Sequence, residues 1–318
     1  HKHLKKALKI FLIYLIFFFS AGCDSQDVKL AKETRFLMGT LFDITVSHPD
    51  VEQARKAIDK AFDEIKRIEQ FASQYLSESE VAMINQNTGK GAVPVKSELY
   101  ALLRKSIQYS QLTNGAFDVT IGAIQELWKF ENEKGTVPPS ETLIRLLPLV
   151  DYKNILLDEN DRVRLKKKGM KLDLGAISKG YAVDRGIEIL KKNKINNAIL
   201  NGGGDLKSMG EKSPGVPWKI GVRHPRKPSS IIATLDGENN AIATSGDYQK
   251  FFVKDGIRYH HILDPATGMP AYGLQSVTII AKEAVLADAM VTAVFVMGVE
   301  QGMKFIESQS YLEGILIT

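Results

Sequence analysis

Residues 171–184 read KLDLGAISKGYAVD, and in this stretch glycine and charged residues interrupt an otherwise apolar entry to a helix. A helix that begins here would direct its free N–H groups and the positive end of its dipole at an anion such as phosphate. Lys179 would add a point charge, and residues 175–177 could present a backbone carbonyl. An amphipathic helix in which Lys179 forms a salt bridge explains the stretch equally well, so the role of Lys179 stays open on these residues alone.

A glycine cluster follows this helix. Residues 198–200 form a short apolar strand that continues into Asn201-Gly202-Gly203-Gly204-Asp205. Three glycines let the backbone approach a ligand closely and turn its N–H groups toward an anion, for which phosphate is a natural candidate. Glycine clusters more often serve only to form turns, so this motif is a weak signal when it is taken alone.

A later helix, over residues 284–297, is apolar except for one carboxylate and one hydroxyl near its start. Asp288 and Thr292 are four residues apart and therefore share one face of the helix. A carboxylate among alanines and valines is unfavourable unless it is paired or bound to a metal, and carboxylate, hydroxyl and phosphate oxygens suit a hard cation such as Mg²⁺. The alternative is a helix-capping role for Asp288, with Thr292 bonded back to its own helix.

A histidine precedes a turn-forming segment. Asp264-Pro265-Ala266-Thr267-Gly268 is typical turn chemistry, and His261 lies three residues before it. His261 could donate to a phosphate or orient a carboxylate, although a lone histidine is more often structural. We expect the neighbouring His260 to be exposed. The histidines and the single cysteine after residue 22 show no zinc-ligand spacing.

The element pattern predicts an α+β fold with mixed or antiparallel sheets flanked by helices, because no regular βαβ alternation is present. Hydrophobic periodicity predicts helices over residues 50–71, 97–112, 178–193 and 284–297. β-Forming residues predict strands over residues 35–47, 155–158, 162–166, 198–200, 218–222, 231–235, 241–244, 275–281 and 315–318. The 318 residues suffice for one large domain or two interlocked ones, and no linker clearly divides the chain.

The first 23 residues have the pattern of an export signal. Basic residues precede an apolar run over residues 10–19, which is too short to span a bilayer of about 30 Å and suits a signal peptide. The single cysteine, Cys23, follows Ser20-Ala21-Gly22 and is similar to the acylated cysteine of bacterial lipoprotein signals, although Ser20 stands where leucine is commoner. The alternative is an ordinary signal peptide followed by an incidental cysteine. The predicted organisation is a signal peptide over 1–22, a polar tether over 23–33 and one domain over 34–318.

The charge balance argues against a nucleic-acid partner. The chain carries a net charge of +5, but four lysines in residues 1–22 account for most of it, since 38 basic and 37 acidic residues follow. Nucleic-acid-binding proteins usually present a concentrated basic surface, which a near-neutral chain does not indicate. We therefore expect no nucleic-acid partner.

Taken together, the segments resemble the ApbE family of FAD:protein FMN transferases from Met38 to about Leu316, and the family's motifs occur in the family's order. They are Met38-Gly39-Thr40, Ser73-Gln74-Tyr75 with Ser79-Glu80, residues 115–120, residues 173–176 with Lys179-Gly180 and Asp184, residues 201–205, Arg223-His224-Pro225, residues 244–248, residues 261–268 and residues 287–293. The departures are small. Leu76-Ser77-Glu78 replaces a commoner Arg-Pro-Asp-like segment, and Met290-Val291 replaces a frequent Leu-Ser.

The resemblance implies a role for each matching position. The carbonyl of Ala176, the carboxylate of Asp288 and the hydroxyl of Thr292 would hold Mg²⁺ against the diphosphate of FAD. The flavin nucleotide site would be lined by Met38, Tyr75, Asp118, Lys179, Asp184, Gly202, Gly203, Arg223, Pro225 and His261. The proposed base for catalysis would be Asp288 or His261.

The resemblance also implies an activity and an architecture. Two interlocked subdomains with a cleft between them would transfer the FMN half of FAD to a Thr or Ser hydroxyl of an acceptor protein and release AMP. The acceptors would resemble flavin-bearing subunits of exported or membrane electron-transfer complexes. With the leader, this implies an exported lipoprotein anchored to the membrane, on the periplasmic side of the inner membrane in a Gram-negative cell. The alternatives are a Mg²⁺-dependent FAD pyrophosphatase that yields FMN and AMP, and a non-catalytic FAD-binding lipoprotein.

Overall fold

The computed structural model describes residues 28–130 and 135–318, so the predicted signal peptide and Cys23 lie outside the described residues. The helices are α1 (Val51–Ala72), α2 (Glu80–Gln86), α3 (Ser97–Leu112), α4 (Gly122–Gln125), α5 (Ser140–Leu146), α6 (Ser178–Lys192) and α7 (Ala284–Glu307). The strands are β1 (Lys29–Leu37), β2 (Thr40–His48), β3 (Val93–Pro94), β4 (Ile155–Leu157), β5 (Arg162–Leu165), β6 (Ala198–Gly202), β7 (Asp205–Met209), β8 (Glu211–Ser213), β9 (Val216–His224), β10 (Lys227–Gly237), β11 (Ala241–Gly246), β12 (Phe251–Lys254), β13 (Ile257–His260), β14 (Ser276–Ala281) and β15 (Glu313–Ile317).

The central element is a seven-stranded sheet with the strand order β1-β2-β6-β7-β11-β14-β15. Every neighbouring pair in this sheet is antiparallel. Three smaller antiparallel sheets have the orders β10-β9-β8, β12-β13 and β3-β5-β4. The prediction of an α+β fold with antiparallel sheets flanked by helices is therefore confirmed.

Three helices lie side by side against the central sheet, with α6 between α1 and α7. Their apolar faces and the sheet form the main core, in which Phe62, Ile187 and Leu200 are almost fully buried. Each buried side chain of this size contributes about 1.5–3 kcal/mol by leaving water. A second, smaller cluster is formed by Ile124, Trp128, Leu143, Phe252 and Leu263. The described chain thus has two hydrophobic cores of unequal size.

The predicted helix over residues 50–71 is confirmed as α1, and its start has a clear physical cause. Oδ1 of Asp50 accepts hydrogen bonds from the backbone N–H groups of Glu52 and Gln53, at 2.9 and 3.0 Å. These N–H groups have no partner within the helix, so the cap stabilises its first turn. The predicted helix over residues 97–112 is confirmed as α3, and positive φ angles at Asn114 and Gly115 end it.

Helix α7 is, among the described residues, the one helix long and apolar enough to cross a membrane. Ala287, Val291 and Phe295 are fully buried in the main core, so its composition reflects its position between α6 and the sheet. The helix is broken at Gly298, where φ is 74°. The predicted span of 284–297 therefore ends where the regular helix ends.

The prediction of a single strand over residues 35–47 is wrong. The structure forms a hairpin of β1 and β2, whose turn has φ angles of 51° at Met38 and 74° at Gly39. Methionine is uncommon at positive φ, so the sequence contains no ordinary hairpin signal there. The predicted tether over residues 23–33 is also wrong from Lys29 onward, because Lys29 pairs with His48 in this hairpin.

Candidate functional site

The N-terminal parts of α6 and α7 are joined by two reciprocal hydrogen bonds. Oδ2 of Asp288 on α7 accepts from the backbone N–H of Gly180 on α6 at 2.8 Å. Oδ2 of Asp184 on α6 accepts from the backbone N–H of Val285 on α7 at 2.9 Å. Each carboxylate thus satisfies a free N–H at the start of the other helix and lies at the positive end of that helix dipole.

Gly180 makes this close approach of the two helices possible. A Cβ atom at Gly180 would lie 2.2 Å from the carbonyl oxygen of Ala284 and 2.7 Å from Cβ of Asp288. Both distances are far below van der Waals contact, and the first involves backbone that cannot easily move. Glycine is therefore required here for packing, since a side chain would force Asp288 away from α6.

Two of the three predicted metal ligands, Asp288 and Thr292, lie on α7, and the third, Ala176, lies two residues before the start of α6. The N–H of Gly180 donates to Asp288 rather than to the carbonyl of Ala176, four residues earlier. In the described part of the chain, no backbone N–H donates to the Ala176 carbonyl. Thr292 lies one turn after Asp288 and its hydroxyl donates to the Asp288 carbonyl at a long 3.4 Å. A carboxylate, a hydroxyl and a free carbonyl fit a hard cation such as Mg²⁺.

Lys179 joins the junction to the glycine loop, which comprises residues 201–205. Its ammonium is ion-paired with Asp205 and lies 3.6 Å from Oδ1 of Asp288. Burial would lower the pKa of Lys179, but attraction to Asp205 and Asp288 raises it above its ordinary value. Burial, followed by the charge of Asp205, raises the pKa of Asp288 above its ordinary value, and the ammonium of Lys179 opposes this rise. The salt bridge considered for Lys179 is thus present, with two carboxylates instead of one.

The glycine loop does not present its N–H groups as the sequence led us to expect. The N–H of Gly203 donates to the carbonyl of Leu41 at 3.1 Å, and that of Gly204 donates to Oδ1 of Asn201 at 3.0 Å. Both groups are therefore used within the protein. The glycines are needed for their positive φ angles of 67° and 108° and because a Cβ at Gly203 would lie 2.5 Å from Oγ1 of Thr40.

The expectation for the two adjacent histidines is wrong for His260. His260 is 1% exposed, and its Nε2 lies 2.6 Å from the carbonyl oxygen of Ala271. His261 has a buried Nδ1 with no hydrogen-bond partner among the described residues. Burial, followed by the positive charge of Lys250 and by smaller effects of His260 and Lys179, lowers the pKa of His261 to about 3. A buried polar atom without a partner among the described residues is available to a ligand or a reacting group.

We expect the ring of His261 to stay neutral across the physiological pH range. The unfolded chain protonates a histidine near pH 6.5, whereas the folded protein does so only near pH 3. The histidine therefore contributes stability above pH 6.5 that is lost as the pH falls from 6.5 toward 3. An NMR titration of the ring nitrogens checks this, and a midpoint near the ordinary value would contradict the burial.

The other predicted site residues are held by different contacts. The carboxylate of Asp118 accepts from the N–H and hydroxyl of Thr120 and from the N–H of Tyr152, at 2.6–2.9 Å. The N–H of Met38 donates to Oε1 of Glu69 at 2.7 Å. Tyr75 is 84% exposed. Asp118 and Met38 thus have structural contacts beside any role in binding, and a flavin contact for these residues stays a prediction.

Arg223 and Pro225 lie at the end of the β9-β10 hairpin, outside the central sheet. Arg223 is exposed and Pro225 is buried. No hydrogen bond or ion pair within the described residues joins Arg223 to Lys179, Asp205 or Asp288. The structure therefore brings together Lys179, Gly180, Asp184, Asp288 and Thr292. A place for Ala176, Arg223 and Pro225 in the same site stays a prediction.

Two members of the cluster have no role in the sequence analysis beyond their motifs, namely Gly180 and Asp205. Gly180 is the third residue of α6, and a glycine within a predicted helix is a signal of close packing. Asp205 follows three glycines, and only its burial of 97% reveals that its charge needs a partner.

Comparison with known proteins gives one consistent result. Residues 38–316 match the model of the ApbE family. An FAD:protein FMN transferase of Treponema pallidum is 30% identical over 91% of this chain and 85% of its own length. Another, of Klebsiella pneumoniae, is 33% identical over 81% of each chain.

Solved structures agree with this result. The ApbE protein of Thermotoga maritima is 38% identical, with a TM-score of 0.84 over 91% of this chain and 94% of its own. The flavin transferase ApbE from Vibrio cholerae is 28% identical, with a TM-score of 0.79 over 92% and 98%. The matched range contains the glycine loop, α6 and α7, and hence every residue of the cluster around Asp288.

Proposed function

The chain belongs to the ApbE family, and on that premise we propose that it is an FAD:protein FMN transferase, which moves the FMN half of FAD to a hydroxyl of an acceptor protein. This proposal rests on the match of residues 38–316 to the ApbE family model and on the similarity of the chain to relatives that are FAD:protein FMN transferases. The buried cluster around Asp288 is the part of that range with the chemistry that a diphosphate requires.

We propose Mg²⁺ as the cation of this site, held by Asp288, Thr292 and the carbonyl of Ala176. When bound, the ion would neutralise charge on the diphosphate and on the departing phosphate. These three groups provide one negative charge and two neutral oxygens, which leaves positions for phosphate oxygens. The hydrogen bond from the N–H of Gly180 holds the side chain of Asp288 in place. The second carboxylate oxygen is therefore already positioned, and little further side-chain entropy is lost when a cation binds.

The transfer step forms one bond and breaks one. The hydroxyl oxygen of the acceptor forms a bond to the phosphorus of the FMN half of FAD. The bond between this phosphorus and the bridging oxygen of the diphosphate breaks, and AMP leaves with that oxygen. The hydroxyl proton must pass to a base. His261 fits this role because its neutral ring has a buried Nδ1 without a partner among the described residues. Asp288 is the weaker candidate, since a carboxylate that binds a cation loses basicity.

The pKa of His261 depends on the charges that surround it. Its positive neighbours Lys250 and Lys179 contribute to the low pKa. A bound diphosphate would counter both charges and raise the pKa of His261 toward the range in which a base works well. The ring is thus neutral before the reaction and becomes a better proton acceptor when the substrate is present.

We propose that the protein acts from the membrane surface outside the cytoplasm, anchored through a lipid on Cys23, and that its acceptors are flavin-bearing subunits of electron-transfer complexes. The sequence Ser20-Ala21-Gly22-Cys23 after an apolar run supports this. In cells, Cys23→Ser should remove the lipid and shift the protein from the membrane fraction to the soluble fraction or leave its signal peptide uncleaved. Intact-mass measurement reads this directly, and an unchanged mass for wild-type Cys23 would contradict the anchor.

Incubation with FAD, Mg²⁺ and a candidate acceptor tests the proposed activity. We expect release of AMP in step with a gain of one FMN on the acceptor, and no gain on an acceptor whose target threonine or serine is replaced by alanine. Release of AMP and free FMN without acceptor would identify a pyrophosphatase. FAD that stays intact would identify a binding protein. Either result would overturn the transferase assignment.

A further inference from the structure

Asp205 is a buried carboxylate that the proposed reaction does not use. It is 3% exposed, begins β7 directly after Gly204 and is ion-paired with Nζ of Lys179. The same Nζ lies 3.6 Å from Oδ1 of Asp288. One ammonium group therefore lies between two buried carboxylates, and it is closer to Asp205 than to Asp288.

The two oxygens of Asp288 are in different situations. Oδ2 accepts the N–H of Gly180 at 2.8 Å. Oδ1 has Nζ of Lys179 at 3.6 Å, which is within the range of an ion pair but beyond the usual range of a hydrogen bond. Oδ1 is therefore the oxygen that can bind a cation. An ammonium group that moved onto Oδ1 would occupy the position that a metal ion needs.

The pairing with Asp205 prevents that movement. The flexible side chain of Lys179 will take the stronger of two competing ion pairs, and in a buried site such attraction is large. Without a carboxylate at position 205, Lys179 would keep only Asp288 of its two carboxylate partners. The ammonium group of Lys179 would then move closer to Oδ1 of Asp288.

We propose that Asp205 is a positioning residue, which holds the ammonium of Lys179 away from Oδ1 of Asp288 and so keeps this oxygen open to the cation. The inference rests on the proposed function only in taking a divalent cation as the ion bound at Asp288. It assigns the aspartate of the glycine loop a role through Lys179 rather than a direct contact with the nucleotide.

A double-mutant cycle measured by Mn²⁺ titration, without FAD or acceptor, tests the inference. We expect Asp205→Asn to weaken Mn²⁺ binding at least about tenfold, because Lys179 then competes for Asp288. Lys179→Met should bind Mn²⁺ at least as tightly as the unaltered protein. In the Lys179→Met background, Asp205→Asn should cost about threefold or less, which is the direct contribution of its charge.

Two further variants show whether a loss of Mn²⁺ affinity arises only from a disturbed structure. Glu64→Gln is the matched control, because Glu64 is also a largely buried carboxylate held by two cations, Arg67 and Arg185, and it should leave Mn²⁺ affinity unchanged. Asp205→Glu keeps the charge and should restore at least part of the affinity that Asp205→Asn loses. A structural role would make this larger side chain as damaging as asparagine.

Two results would overturn the inference. One is an Asp205→Asn protein with unaltered Mn²⁺ affinity. The other is an equal loss with and without Lys179, since Asp205 would then act by itself. Because neither FAD nor acceptor is present, these outcomes are independent of whether the chain transfers FMN.

Discussion

Asp288→Asn should abolish FMN transfer while leaving the protein folded. The amide oxygen can still accept the N–H of Gly180, so the junction of α6 and α7 is kept. The charge that binds the cation is lost, and we expect the transfer rate to fall at least about a thousandfold, which corresponds to about 4 kcal/mol of transition-state stabilisation. AMP release in the presence of saturating FAD and acceptor measures this rate.

Stability separates the catalytic effect from a folding defect. Asp288 is repelled by Asp205 and attracted by Lys179, and loss of its charge leaves Lys179 and Asp205 as a neutral pair. We therefore expect the free energy of unfolding to change by no more than about 1 kcal/mol. Asp59→Asn, at an exposed ion pair on α1, is the control that should keep full activity. An Asp288→Asn enzyme with the wild-type rate would exclude this residue from the site.

Among substitutions that add one methyl group to the site, we expect Gly180→Ala to lower the free energy of unfolding most. The added Cβ would lie 2.2 Å from the carbonyl oxygen of Ala284, so α7 must move away from α6. Overpacking of this kind costs about 3 kcal/mol, which far exceeds the gain of about 1 kcal/mol in helix propensity. Denaturant unfolding measures the loss. Mn²⁺ binding should weaken as well, because Asp288 moves with α7.

Gly186→Ala is the matched control on the same helix. Its Cβ would meet Cδ1 of Leu200 at 2.5 Å, but that atom is the end of a flexible side chain. The gain in helix propensity and the cost of moving Leu200 nearly offset one another, so we expect a change within about 1 kcal/mol. Equal losses for the two variants would show that the contact between α6 and Ala284 is not the reason for glycine at position 180.

The long helices could be predicted from the sequence because each carries its own signals. Helix α1 combines a capping aspartate, Asp50, with apolar residues at helical spacing, and α3 ends where Asn114 and Gly115 permit positive φ. The hairpin of β1 and β2 was missed because its turn places Met38 at φ 51°, which the residue type does not favour. The helices α2, α4 and α5 span seven residues or fewer, too short for periodicity to show.

The site could be predicted in part. The spacing of Asp288 and Thr292 placed both on one helical face, as α7 confirms. The bond from Gly180 to Asp288 joins residues 108 positions apart, and no local pattern contains it. The same holds for Lys179 and Asp205, whose pairing depends on how α6 lies against β7. Which of two adjacent histidines is more buried depends on the end of β13, and the expectation for His260 was wrong for that reason.

We propose above all that a divalent cation at Asp288 binds the diphosphate of FAD. Pulsed electron–nuclear double resonance of the Mn²⁺-loaded protein with FAD tests it most directly, because a phosphate bound to Mn²⁺ gives a large ³¹P coupling. We predict this coupling in the unaltered protein and its loss in Asp288→Asn. Mn²⁺ that binds without ³¹P coupling to FAD, or a coupling that persists in Asp288→Asn, would contradict the account.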